Sequence, residues 1–156
     1  MKPFAVAGVC IFLWSVVTAD PAMAEHVHTA PHGGALNEVG EEAAHVELVV
    51  DAEQGKLTAY LLDGEAEGPV LSAQPAITLE LICDGAEELL QLDLSAVANP
   101  LTGESVGRTS EFAAVDAALR DAKACRGTVS ELRARGETFS DIPVSFPEGT
   151  HAGEAL

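Results

Sequence analysis

The sequence predicts a mainly β domain: an antiparallel β-sandwich of immunoglobulin- or cupredoxin-like layout with one short helix. Three observations carry that expectation. Short runs of alternating apolar and polar residues recur along the chain. Turn signals rich in Gly and Asp separate them. Only one stretch, after Ser110, shows helical spacing. The 156 residues, 47% hydrophobic and 21% charged, fit one domain with tails and leave no room for a two-domain enzyme. The hydrophobic fraction is too high for a wholly disordered acidic chain. The excess of 25 Asp+Glu over 8 Lys+Arg, a formal charge of −17, argues against nucleic acid or an anionic membrane as partner. Phosphate contacts need clustered Lys and Arg.

Residues 1–24 read as a signal peptide. Lys2 opens it, an apolar run from Phe4 to Ala19 follows, and Ala22-Met23-Ala24 has the small residues that signal peptidase requires. The run is shorter than the ~20 residues of a membrane span. Cleavage after Ala24 removes Met1, Met23, Trp14 and Cys10 and implies a periplasmic chain of 132 residues from the 156. Residues 25–42 show no periodicity and read as a His-containing arm. The sandwich is expected over 43–147, with a tail over 148–156.

Within 43–51, Val46, Leu48 and Val50 fall on one face and His45, Glu47 and Val49 on the other. A turn at Glu53-Gln54-Gly55 joins this strand to a second, Lys56–Leu62, as a hairpin. The acidic stretch Asp63–Gly68 is a turn region. Ala76–Cys83 is a strand with Ile77, Leu79 and Leu81 inward. Leu89–Leu94 is the next, and Asn99–Gly103 is loop. Ser110 resembles an N-cap, with Phe112, Val115, Leu119 and Ala122 at helical spacing up to about residue 124. Two last strands are expected near 128–133 and 138–146, joined through Arg135-Gly136-Glu137.

The residues able to carry chemistry are few. His26, His28 and His32 lie in the arm, and His32 opens His32-Gly33-Gly34. His45 and Glu47 share the outer face of the first strand. Imidazole and carboxylate together suit Zn²⁺, and His-rich sets suit Cu²⁺ or Ni²⁺. His32, His45 and Glu47 are therefore expected as a ligand trio. The two glycines would let the chain swing His32 against the strand. Cleavage after Ala24 would also leave Glu25-His26 with a free amine able to grip Cu²⁺, with His28 nearby.

The pattern Pro31-His32-Gly33-Gly34-x-Leu36, then Gly40, then His45-x-Glu47-Leu48-Val49-Val50-Asp51, then Leu57 to Gly64, resembles a family of small exported proteins. A similar module stands near the N-terminus of periplasmic adaptor subunits of heavy-metal efflux pumps. Gly107-x-Thr109-Ser110-x-Phe112 continues the likeness. The resemblance implies an exported β-sandwich-like domain associated with metal handling, with efflux-pump components as partners.

Three function classes follow. The first is an exported module that binds or senses a transition metal beside an efflux system. The second is a metal-free interaction or assembly domain of the cell envelope, with His-Gly-Gly serving only the fold. A hydrolytic metalloenzyme is the third. Enzyme signatures are missing: there is no Gly-x-Ser-x-Gly elbow and no His-Glu-x-x-His helix. A blue-copper site is disfavoured because the mature chain has no Met and neither Cys has a nearby downstream His. Cys83 and Cys125 are the only two thiols after cleavage. In an oxidising compartment they are expected to pair and staple the helix to the sheet. A thiolate metal pair is the competing reading, although no Cys-x-x-Cys spacing supports it.

Overall fold

The structure is a computed structural model that describes residues 28–150. The signal peptide, its cleavage site, His26 and His151 lie outside the described residues. Among the described residues, eight strands form one antiparallel sheet: β1 (Ala35–Val39), β2 (Ala44–Asp51), β3 (Lys56–Asp63), β4 (Ala76–Cys83), β5 (Leu90–Ala96), β6 (Glu111–Val115), β7 (Cys125–Ala134) and β8 (Glu137–Phe146). Their spatial order is β1-β2-β3-β6-β5-β4-β7-β8.

Mainly antiparallel β structure is as expected, but the strands do not divide into two separate packed sheets. They make one nearly closed, barrel-like sheet. The reason is β6. Residues 111–115, read as the start of a helix, form the strand that joins the two halves. Phe112 pairs with Ala59 of β3 on one side and Ala96 of β5 on the other. The Ser110 hydroxyl caps no helix; it donates to Glu104 Oε1 at 2.6 Å. The helical element shrinks to a single 3-10 turn, Ala117–Arg120, capped by Asp116, whose carboxylate accepts from Ala118 N at 2.8 Å. Phe112 and Leu119 are core residues in either conformation. Val115 separates the two readings: it is 70% exposed, where a helix would bury it.

A second correction concerns the arm. Ala35–Val39, expected to be irregular, is strand β1, and its hydrogen-bonded partner is β2. Its alternation is hidden because an Asn occupies an inward position. Ala35, Asn37 and Val39 all face the core, and Leu36 is buried on the other side in a small cluster with Leu62 and Ala66. Asn37 closes the barrel. Its Oδ1 accepts from Ser145 N of β8 at 2.8 Å, and its Nδ2 donates to Ala35 O and Val46 O. Beyond β8, Thr150 bridges to Asn37, and the Gly149 backbone lies on that of Leu36 too closely for any side chain.

The main core is aliphatic. Val46, Leu48, Leu57, Ala59, Leu61, Ile77, Leu79, Leu81, Leu94, Val129, Leu132 and Val144 surround Phe112. In β4 the inward set is the expected one, Ile77, Leu79 and Leu81. Cys83 and Cys125 stand opposite each other on β4 and β7, with Cα atoms 3.9 Å apart, and form a disulfide. It staples strand to strand rather than helix to sheet, because β7 begins at Cys125.

Candidate functional site

The hairpin of β2 and β3 fixes the site's geometry. Asp51 pairs with Lys56, so Glu47 stands opposite Tyr60 and His45 opposite Leu62. Adding β1 and β6 gives two rows across the outer face of the sheet. One runs Leu36, Glu47, Tyr60, Glu111, and the other Glu38, His45, Leu62. His45 and Glu47 do share the outer face, as alternation requires, yet that face is not open to solvent. His45 is 4% exposed and Glu47 is fully buried. The segment 28–34 lies across them.

Two glycines make that crossing possible. Gly33 has φ +72°, a left-handed conformation that side chains disfavour. At Gly34 an added Cβ would collide with Leu48 O and come within 2.7 Å of Val49 Cγ2. The turn therefore sits directly on β2, and Glu47 receives it. Glu47 Oε1 accepts from His32 N at 2.9 Å and Gly34 N at 2.8 Å, and Oε2 accepts from His32 Nδ1 at 2.7 Å. A buried carboxylate needs such donors, because desolvation without them is costly. The His32 ring stacks on Tyr60, centroids 3.7 Å apart and planes within 9°.

His45 is held in the same way. Its Nδ1 lies 3.0 Å from the Asp63 carbonyl oxygen. A carbonyl can only accept, so Nδ1 carries a proton, and in the neutral ring the lone pair falls on Nε2. The His28 ring approaches the His45 ring at 5.0 Å between centroids, inclined at 56°. The expected trio is thus brought to one face but arranged as two pairs, His32 with Glu47 and His28 with His45. Among the described residues no three of His, Cys, Asp or Glu are grouped so as to hold a metal ion.

Beside His32 opens a cleft of about 430 Å³. Its walls come from Pro31 and His32, from Tyr60 to Leu62, from Pro69 and Leu71, and from the 99–108 loop with Glu111. Burial raises the Tyr60 hydroxyl pKa, and the negative charges of Glu111 and Glu47 raise it further. Burial would also raise Glu104, but the Ser110 and Thr102 hydroxyls and the Ser110 N–H outweigh it and hold that carboxyl below its ordinary value. Sequence reasoning missed Tyr60, Glu111 and this loop. Tyr60 was reachable, since the hairpin turn alone places it opposite Glu47. Glu111 was not, because it lay in the segment read as helix.

Compared with known proteins, the chain matches no family model, no curated protein and no solved structure.

Proposed function

We propose that the protein is an exported binding module, not an enzyme, that takes up or senses a transition-metal ion, Zn²⁺, Cu²⁺ or Ni²⁺, beside a heavy-metal efflux system. One observation carries the metal reading. The two outer-face imidazoles, His32 and His45, each direct Nδ1 at a fixed oxygen, Glu47 Oε2 and Asp63 O. Imidazoles that bind metal through Nε2 are commonly held in this way, with the other nitrogen donating to a carboxylate or carbonyl. Glu47 then acts by positioning His32, since both of its oxygens are engaged. Two rings on one tetrahedral ion stand about 5 Å apart, given Zn–N bonds of ~2.0–2.1 Å, and the His28–His45 spacing of 5.0 Å suits that. His26, two residues before His28, and His32 are the remaining donors. Export accords with the disulfide, and among the described residues no helix is long and apolar enough to cross a membrane. The link to efflux rests on the sequence resemblance alone.

The metal-free assembly reading has its own support. The three bonds from the 32–34 turn to Glu47 are a complete structural role without any ion. Equilibrium titration of the mature, tag-free protein with each metal separates the two. Metal binding predicts saturable uptake that H45A and H28A each weaken by at least tenfold, about 1.4 kcal/mol. No uptake, or uptake indifferent to both variants, leaves the assembly reading.

A further inference from the structure

The cleft beside His32 is distinct from the His28–His45 pair, and its chemistry is different. One wall is the stacked His32–Tyr60 pair. Glu67, Glu104 and Glu111 also line it, Glu111 standing beside Tyr60 in the β3–β6 ladder, around a volume sufficient for a long side chain. The one basic residue in the lining, Arg108, donates from Nη1 to Gly103 O at 3.3 Å, and its charge bears on Glu104. Aromatic faces and carboxylates around one space recognise an organic cation. The loop that bounds the cleft adds a second feature. Glu104 braces it, accepting from Ser110 N at 3.0 Å, Ser110 Oγ at 2.6 Å and Thr102 Oγ1 at 2.8 Å. On this braced frame Leu101 is 97% exposed and Val106 63%. Large apolar side chains exposed on the loop that bounds the cleft give a polypeptide further surface to cover. A small free amine would have no use for that surface.

We propose that this cleft docks a basic segment of a partner polypeptide, one Lys or Arg side chain lying along the His32–Tyr60 wall between the carboxylates, with apolar neighbours covering Leu101 and Val106. The chain's charge of −17 steers such a partner from a distance. The site does not depend on metal uptake.

Selection of short random peptides on the purified protein, at about 150 mM salt so that long-range attraction is screened, tests the proposal. The expected selection carries Lys or Arg flanked by apolar residues. E67Q/E111Q and L101S/V106S should each weaken selected peptides about tenfold or more. E87Q/E88Q, the same charge change on the exposed 84–89 turn, should leave them unaffected. H28A/H45A should also leave them unaffected while abolishing metal uptake, which separates a failure here from a failure of the metal reading. The proposal is overturned by selected peptides without a basic residue, by no selection at all, or by equal losses in E67Q/E111Q and E87Q/E88Q. It is also overturned if spermidine alone binds, and binds equally to L101S/V106S, since the cleft would then be a small-amine site.

Discussion

At the scale of single residues, Glu47 does the most with the fewest atoms. It fastens the His-Gly-Gly turn to β2 and selects the tautomer of His32 in one step. Replacing it with Gln separates these tasks. The amide oxygen can still accept from His32 N and Gly34 N. The amide nitrogen then faces His32 Nδ1, and two donors cannot share a bond. His32 must move its proton to Nε2, which removes the lone pair a metal would use. E47Q should therefore fold, at a cost of about 1–3 kcal/mol for the disturbed buried bonds. Long-range ¹H–¹⁵N spectra should show the His32 nitrogens exchanging roles, and unchanged nitrogen shifts would remove Glu47 from its positioning role. Much of this was legible in the sequence. Residues two apart on a strand share a face, so His45 and Glu47 had to be neighbours. Their burial was not legible, because it depends on the 28–34 segment lying over them, which shows only in the contacts of that segment with β2.

At the scale of elements, the hairpins were the most readable parts and the helix the least. The hairpins β2–β3 and β7–β8 carry alternation on both arms and a left-handed Gly between them, Gly55 and Gly136. Glu111–Val115 fails as a sequence signal because FAAV is apolar at every position and suits either period; only pairing with both β3 and β5 decides it. The 63–68 turn has a titration of its own. Its Asp63 carboxylate accepts from the backbone N–H of Glu67, and that bond, with those of Gly68 and Glu65 and the nearby Arg135 charge, holds its pKa below the ordinary 3.8. A folded pKa below the unfolded one adds stability above pH 3.8, lost as pH falls through the lower folded value. D63N should lower the urea midpoint at neutral pH and flatten the acid limb of the curve of midpoint against pH. An acid limb as steep as the parent's would show that other carboxylates carry it. The Cys83–Cys125 bond links residues 42 apart, so its loss should cost roughly 4 kcal/mol in the chain-entropy model. A C83A/C125A protein with an unchanged urea midpoint would contradict that.

At the scale of the whole molecule, the open question for any single antiparallel sheet is what becomes of its two edges, since bare edges invite pairing with other chains. Here β1 and β8 meet, and the meeting is made by a side chain rather than a full ladder. Asn37 is fully buried, accepts from Ser145 N, and donates to Ala35 O and Val46 O. No periodicity argument could assign it this task, because a polar residue at an inward position reads as irregular chain. The joint makes opposite demands on its two ends, an acceptor towards β8 and a donor towards β1 and β2, and of the residues of that size only an amide meets both. N37L leaves the Ser145 N–H without its acceptor and should cost about 1–3 kcal/mol. N37D keeps an acceptor but turns a second carboxylate oxygen towards two carbonyl oxygens, so it should destabilise at least as much despite its closer shape. Hydrogen exchange resolves the location. Both variants should speed exchange at Ser145 while the β4–β5 amides, on the far side of the sheet, keep their protection, because the damage opens the seam before it reaches the core. If N37D were as stable as the parent, shape alone would be closing the barrel; if β4–β5 amides lost protection together with Ser145, the seam and the core would be one cooperative unit.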